Sequence, residues 1–152
     1  MDPFLPVNVP ASAGVVRVAV PPALARLRRA WDGKASAGVP THVTILFPFV
    51  GSSELSRTVR EELAGIAAGH QPFEVRFEGV GRFPGVVYLV PEPAEPFAAL
   101  TGAVTARFPA YPPYGGAFDE VIPHMTIAES EDDERLDEVA ASAAGQLPFG
   151  VP

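Results

Sequence analysis

The pattern His-x-Thr occurs twice in the chain, as His42-Val43-Thr44 and His124-Met125-Thr126. Each copy opens a short apolar run that is typical of a β-strand. Side chains on a strand alternate between its faces, so each histidine is expected to project on the same side as its threonine. An imidazole beside a hydroxyl, presented twice, suits a phosphate diester held between two groups that transfer protons.

The duplication carries more weight than either copy alone. The chain has three histidines, and chance rarely puts two of them into one short pattern with matching apolar flanks. A histidine on a single strand is more often structural than catalytic. His70 follows a predicted helix end at Gly69, where solvent and the helix dipole favour a cation, so we interpret it as a surface residue.

Composition predicts one domain, or two small lobes that share a core, for a chain of 152 residues with 47% hydrophobic residues. No segment approaches the roughly 20 apolar residues that span a bilayer. The N-terminus lacks the basic start and apolar stretch of a signal peptide, so a cytoplasmic location is expected. The absence of cysteine excludes disulfides, thiolate metal sites and a cysteine nucleophile.

The formal net charge of -7 argues against extended DNA or RNA as a ligand, because such ligands are bound by neutralising many phosphates. A mononucleotide or a terminal phosphate needs only a local cationic pocket. Lys34 is the only lysine, so arginine dominates the basic residues and offers a planar fork for phosphate oxygens.

Hydrophobic periodicity and breaking residues predict the elements that position the two motifs. Besides the motif strands, strands are predicted at Val15–Val20, Pro72–Val80 and Val86–Val90, the last closed by Pro91. Helices are predicted from Pro22, along Leu55, Val59, Leu63 and Ile66, along Phe97, Leu100, Val104 and Phe108, and from Ser130 with Asp133 in a capping box. Loops or turns are predicted at Gly33–Pro40, Gly81–Gly85 and Tyr111–Phe118.

The order of these elements repeats from Val86, which predicts an internal duplication with lobe one at about residues 12–82 and lobe two at about residues 83–152. The segment from Gln71 to Val75 matches the one from Leu147 to Val151, after which the second copy lacks most of a strand. An unfilled strand position leaves backbone groups on a sheet edge. We therefore expect an exposed edge beside the second motif, or one covered by Asp2–Pro10.

The two motifs with their flanks, Pro40–Phe49 and Ile122–Ala128, resemble those of the two-histidine (2H) phosphoesterases, the superfamily of 2'-5' RNA ligase-like proteins and cyclic phosphodiesterases. This resemblance covers nearly the whole chain. It implies an α+β fold of two pseudo-symmetric antiparallel sheets flanked by helices around a central cleft. It also implies metal-free hydrolysis or transfer at 2',3'-cyclic or 2'-5' phosphodiester bonds, without a cofactor.

The two motifs offer acid–base chemistry for the opening of a cyclic phosphate. Opening the ring requires a base for water and an acid for the departing sugar oxygen, and histidine, with an intrinsic pKa near 6.5, can serve as either. Thr44 and Thr126 can donate hydrogen bonds to the oxygens on which charge accumulates. The choice of acid and base between His42 and His124 stays open.

Candidate substrate contacts surround the motifs in sequence. The loop aromatics Tyr111, Tyr114 and Phe118 are candidates for base or ribose contacts, as is Phe49 beside the first motif. Arg82, in a predicted turn, is a candidate phosphate contact, although a solvated turn arginine is the common alternative.

Two other classes of function compete with this interpretation. A metal hydrolase would need a third ligand near the histidines, and no closely spaced ligand set occurs in the sequence, so no metal is expected. A non-catalytic module that binds nucleotides or RNA ends would need the same residues without turnover. For the phosphoesterase and for the binding module alike, the expected partner is a small nucleotide or an RNA terminus bearing a cyclic phosphate, with no membrane involved and the chain a monomer.

Overall fold

The computed structural model describes residues 12–116 and 122–151, and these form a mixed helix and sheet fold. The strands are β1 (Gly14–Arg17), β2 (His42–Leu46), β3 (Val75–Phe83), β4 (Val86–Glu92), β5 (Met125–Glu129) and β6 (Phe149–Val151). The helices are α1 (Pro22–Trp31), α2 (Gly33–Ser36), α3 (Arg57–Ala68), α4 (Glu95–Arg107) and α5 (Asp133–Ala144). Strands β1 and β2 form one sheet, and the other has the order β5-β4-β3-β6. The predicted α+β class with two antiparallel sheets is confirmed.

The chain divides into two compact units. One comprises Met1–Val15, Thr44–Pro72 and Glu95–Ile122, and the other comprises Val16–Val43, Phe73–Ala94 and Pro123–Pro152. Each unit combines segments from both sides of residue 82, and the unit boundaries fall inside β1 and β2. The lobes predicted from the internal duplication follow the order of the sequence, and that division stays a prediction.

The second unit is built around the four-stranded antiparallel sheet. Alternate residues of its strands are fully buried, among them Phe77, Val87, Leu89 and Met125. Helix α5 packs against β3, β4 and β5, and α1 packs against β5. The apolar faces of these helices supply the other side of the core, with Leu24 of α1 and Leu136, Val139 and Ala143 of α5 buried.

The β3–β4 hairpin is longer than the sequence predicted. A turn was expected from Gly81 to Gly85, but β3 continues to Phe83 and the register pairs Phe83 with Val86. Only Pro84 and Gly85 make the turn. Gly85 has φ +75°, and a proline followed by a residue of positive φ is the pattern of a type II turn.

Three other predicted boundaries also need correction. Pro91 does not close β4, because β5 pairs only with Val86 to Leu89 and a proline beyond that point removes no ladder bond to β5. The Gly33–Pro40 loop contains the short helix α2, whose first turn is capped where Asp32 accepts from the Lys34 N–H. Helix α5 begins at Asp133 rather than Ser130, because the carboxylate of Asp132 caps its first turn.

The first unit contains α3, α4 and most of β2. Phe97 and Val104 of α4 are buried, and the Thr101 hydroxyl donates to the carbonyl oxygen of Ile45 at 2.7 Å. Helix α3 buries none of its residues fully, and its predicted apolar face is half-buried. Across the described ranges, no helix is long and apolar enough to cross a membrane.

The last strand, β6, pairs with Val75–Phe77 of β3 at one edge of the larger sheet, and β5 lies at the other edge. The second motif is therefore on an edge strand of the sheet as described. The segment Asp2–Pro10, which was expected to cover such an edge, lies outside the described residues. The prediction of an open or covered edge beside the second motif stays a prediction.

Candidate active site

The first motif lies at the start of β2 and shows the expected alternation. Val43 and Ile45 are buried, whereas His42 and Thr44 are half-buried. The apolar residues fix the strand in the core, so the imidazole and the hydroxyl are left on the more accessible face. By the division into units, His42 belongs to the second and Thr44 to the first.

The imidazole of His42 is oriented by the main chain two residues before it. Its Nδ1 lies 2.7 Å from the carbonyl oxygen of Pro40. A carbonyl oxygen only accepts hydrogen bonds, so Nδ1 must carry a proton when this bond is made. The nitrogen left for proton transfer is Nε2, which accepts a proton in the neutral ring and donates one in the cation.

The segment that leads into His42 is braced from α1 and from the end of β1. Arg28 donates through Nη1 to the carbonyl oxygen of Val39 at 2.7 Å, and its Nε lies 3.0 Å from Oδ2 of Asp32. Thr41 exchanges hydrogen bonds with Val18, its hydroxyl donating to the Val18 carbonyl and its own carbonyl accepting from the Val18 N–H. These bonds fix the backbone segment that leads into His42.

The second motif repeats this arrangement at β5. Met125, Ile127 and Ala128 are fully buried, whereas Thr126 and His124, which immediately precedes the strand, are half-buried. The register moves from Val87–Ala128 to Tyr88–Thr126, so Ile127 is an extra residue in a bulge. The bulge allows two adjacent apolar residues to be buried while Thr126 stays on the face that carries His124.

Two aromatic rings contact the imidazole of His124. The Phe83 ring lies edge-to-face with it, at a centroid separation of 5.0 Å and an interplanar angle of 90°. The Tyr88 ring also meets it at a steep angle of 64°, with centroids 5.4 Å apart. Phe83 and Tyr88 stack on each other at 4.3 Å. His124 is therefore held against a pair of stacked rings from the β3–β4 hairpin.

Arg82 is placed away from this face. It pairs in register with Val87, whereas Gly81 pairs with Tyr88, so Arg82 projects on the opposite side of the sheet from Tyr88. Its Nη1 lies 2.6 Å from Oδ1 of Asp137 on α5. The structure thus gives Arg82 a carboxylate partner on the helix-covered side and does not bring it beside His124.

Three of the four candidate aromatic residues, Phe49, Tyr111 and Tyr114, lie in the first unit. Phe49 is only 3% exposed and packs edge-to-face with Phe108 and Tyr111, at 5.1 and 5.4 Å between centroids. Tyr111 and Tyr114 are half-buried. Tyr114 has the left-handed backbone angles φ 50° and ψ 35°, its N–H donates to the Phe47 carbonyl oxygen, and desolvation by burial raises the pKa of its phenol. The fourth candidate, Phe118, lies outside the described residues.

Both motifs and the elements that carry them fall within the match to a family model, that of the 2'-5' RNA ligase superfamily, over residues 16–151. The chain belongs to this superfamily. It is the superfamily of the 2H phosphoesterases, so the resemblance inferred from the two motifs is confirmed. Comparison with curated proteins gives no significant match.

Two features of this superfamily member were not found from its sequence. The buried pair Arg28–Asp32 braces the backbone before His42, and its signal is an i,i+4 pairing of opposite charges that also occurs on exposed helix faces. Tyr88 was interpreted as one residue of a strand, without a role.

Among the described residues, no group of three or more His, Asp or Glu side chains lies together as a metal site.

Proposed function

We propose that this 2'-5' RNA ligase superfamily chain is a metal-independent phosphoesterase that acts on 2',3'-cyclic phosphate or 2'-5' phosphodiester bonds of nucleotides or RNA ends. Its catalytic residues are His42, Thr44, His124 and Thr126. The family membership supports phosphoesterase or ligase chemistry in general. The observation that carries the finer proposal is the repeated burial pattern, which twice leaves a histidine and a threonine half-buried while the apolar residues of the same motif are buried.

The proposed reaction divides two proton transfers between two imidazoles. One neutral histidine takes a proton from water as the water oxygen forms a bond to phosphorus. The other, protonated, histidine gives its proton to the 2' or 3' oxygen as the bond from that oxygen to phosphorus breaks. Each transfer contributes typically about 10²–10⁴ in rate. The proposal requires His42 and His124 to face one phosphate, with Nε2 of His42 as its reactive nitrogen.

The threonines supply hydrogen bonds rather than protons. A hydroxyl that donates to a non-bridging phosphate oxygen stabilises the charge that builds there in the transition state. Tyr111 and Tyr114 remain the proposed base or ribose contacts, since each is half-buried and keeps accessible surface. We leave out Phe49, because it is buried in an aromatic cluster, and Arg82, because its guanidinium pairs with Asp137.

The deciding experiment is a substrate screen with wild-type protein on 2',3'-cyclic mononucleotides, 2'-5' linked dinucleotides and RNA ending in a cyclic phosphate, with identification of the product isomer. Turnover should survive EDTA. The variants His42→Ala and His124→Ala should each lose about 10²–10⁴ in kcat. His70→Ala is the matched control, because His70 sits at the end of α3 with its Nδ1 bonded to the Ile66 carbonyl.

Three outcomes would overturn the proposal. They are near-normal turnover in either motif variant, an equal loss in the His70 variant, and complete loss of activity on chelation. Tight binding of a cyclic nucleotide without turnover would instead identify a non-catalytic nucleotide or RNA-end binding protein.

A further inference from the structure

Gly81 lies directly beneath the ring of Tyr88. A Cβ built on Gly81 would lie 2.2 Å from Cζ, 2.4 Å from Cε2 and 2.5 Å from the hydroxyl oxygen of Tyr88. These separations are far inside van der Waals contact, so any side chain at residue 81 would displace the ring or the strand. Gly79, two residues earlier on the same strand, differs: a Cβ there would lie 3.9 Å from Val90, which is ordinary contact.

The pairing of the strands explains why Tyr88 can reach both Gly81 and His124. Tyr88 pairs with Gly81 on β3 and with Thr126 on β5, so the three residues form one row on one face of the sheet. The Tyr88 ring lies over Gly81 of β3, stacks on Phe83 and meets the imidazole of His124 at a steep angle. Because Gly81 has no side chain, the Tyr88 ring can lie close to the backbone of β3.

We propose that Tyr88, seated on Gly81 and stacked on Phe83, is a positioning residue that fixes the orientation of the His124 imidazole. The aromatic ring acts in this role, and the phenol hydroxyl does not. The contribution of this contact to the rate rests on the proposed function, in which His124 transfers a proton. The orientation of the imidazole does not rest on it, and can be measured in the absence of any substrate.

The physical reason is steric. His124 is half-buried and immediately precedes β5. The two rings that meet its imidazole at steep angles limit rotation about its side-chain torsions. Proton transfer needs the reacting atoms at near-attack distances, and a displacement of about 1 Å costs on the order of 10² in rate.

Gly81→Ala and Gly79→Ala form a matched pair of tests, with the same change on the same strand and the same face. Gly81→Ala should lower kcat on the cyclic phosphate by about 10²-fold with little change in KM, because His124 acts in the transition state. Gly79→Ala should keep kcat within the same order of magnitude. Circular dichroism at the assay temperature establishes that both variants are folded. Equal losses in the two variants would overturn the proposal.

The role of the ring is tested at Tyr88. Tyr88→Phe keeps the ring and should keep kcat within the same order of magnitude, whereas Tyr88→Ala should lose about as much as Gly81→Ala. In the double variant Tyr88→Ala/Gly81→Ala the new methyl has no ring to displace, so the two losses should not add. A Tyr88→Phe variant as slow as Tyr88→Ala would assign the effect to the hydroxyl. Additive losses would show that the two residues act separately.

Nuclear magnetic resonance of the imidazoles separates this inference from the proposed function. The chain has three histidines, so the signals of His124 can be assigned from the spectrum of the His124→Ala variant. Gly81→Ala and Tyr88→Ala should shift the His124 ring signals and leave those of His70 in place, while Gly79→Ala and Tyr88→Phe should preserve them. If the signals move as expected while the wild type turns over no substrate, the positioning holds and the proposed activity fails. Unmoved His124 signals in Gly81→Ala and Tyr88→Ala would overturn the positioning, whatever the activity.

Discussion

The guanidinium of Arg28 donates to the main-chain carbonyl of Val39, three residues before His42 in the chain. Arg28 is 5% exposed, and its charge is balanced by Asp32, which is 2% exposed. The carboxylate of Asp32 also accepts from the N–H of Lys34 at the start of α2. A buried ion pair at the end of α1 therefore connects the start of α2 to the segment that leads into β2.

Removing one member of this pair should be strongly destabilising. Arg28→Ala leaves the Asp32 carboxylate buried without a counter-charge, and breaking a buried pair in this way costs about 3–5 kcal/mol. The measurement is the free energy of unfolding in urea. Arg57–Glu61 is the matched control, with the same i,i+4 spacing but side chains that are 93% and 65% exposed. Arg57→Ala should cost less than about 1 kcal/mol, and similar losses at the two sites would contradict this account.

The hydrogen bond from His42 to Pro40 predicts a tautomer. Neutral His42 should carry its proton on Nδ1, because the Pro40 carbonyl 2.7 Å away can only accept. Nitrogen chemical shifts of the imidazole report which nitrogen is protonated. His70 makes a similar bond, from Nδ1 to the Ile66 carbonyl at 2.9 Å, and should show the same tautomer. A neutral His42 protonated at Nε2 would remove the nitrogen that the proposed reaction needs.

Arg82 was predicted as a phosphate contact, whereas the structure pairs it with Asp137. If its role is the ion pair with Asp137, whose side chains are 35% and 72% exposed, then Arg82→Ala and Asp137→Ala should each lower stability by only about 0.2–1 kcal/mol. Their KM values for a cyclic nucleotide should then be equal. A rise in KM confined to Arg82→Ala would restore the role of phosphate contact, so Michaelis constants and urea unfolding should be measured on both variants.

The parts of the site that depend on local periodicity were predictable from the sequence. The alternation around His42 and His124 follows from strand geometry, because apolar residues at every second position select the face that is buried. The helices along Leu63 and along Val104 follow from helical spacing in the same way, and the structure has both.

The parts that depend on tertiary contacts were not predictable. Gly81 was placed in a turn because glycine favours turns, whereas the structure uses it in a strand to admit the ring of Tyr88. Arg82 was predicted in the same turn. In the structure the pairing of β3 with β4 places it on the side of the sheet that α5 covers. Arg28 and Asp32 have the spacing of an ordinary surface pair, and only the packing of their helix buries them.

Tyr114 should make the protein sensitive to alkaline pH. Desolvation by burial raises the pKa of its phenol above the ordinary value, which is about 10 for tyrosine. Because the folded state favours the neutral phenol, this group's contribution to stability is complete below the unfolded pKa and is lost as pH rises through the folded pKa. Stability should therefore fall above about pH 10, and the fall should be smaller in Tyr114→Phe, which has no proton to lose.

The measurement is urea unfolding at a series of alkaline pH values, together with phenolate absorbance. The chain has three tyrosines, so Tyr111→Phe serves as the control for the loss of a phenol from the same loop. Both variants keep an aromatic ring, and residue 114 keeps its left-handed backbone in either case, so backbone strain is the same on both sides of the comparison. An alkaline loss of stability that is unchanged in Tyr114→Phe, or that disappears in Tyr111→Phe instead, would show that burial of Tyr114 is not its cause.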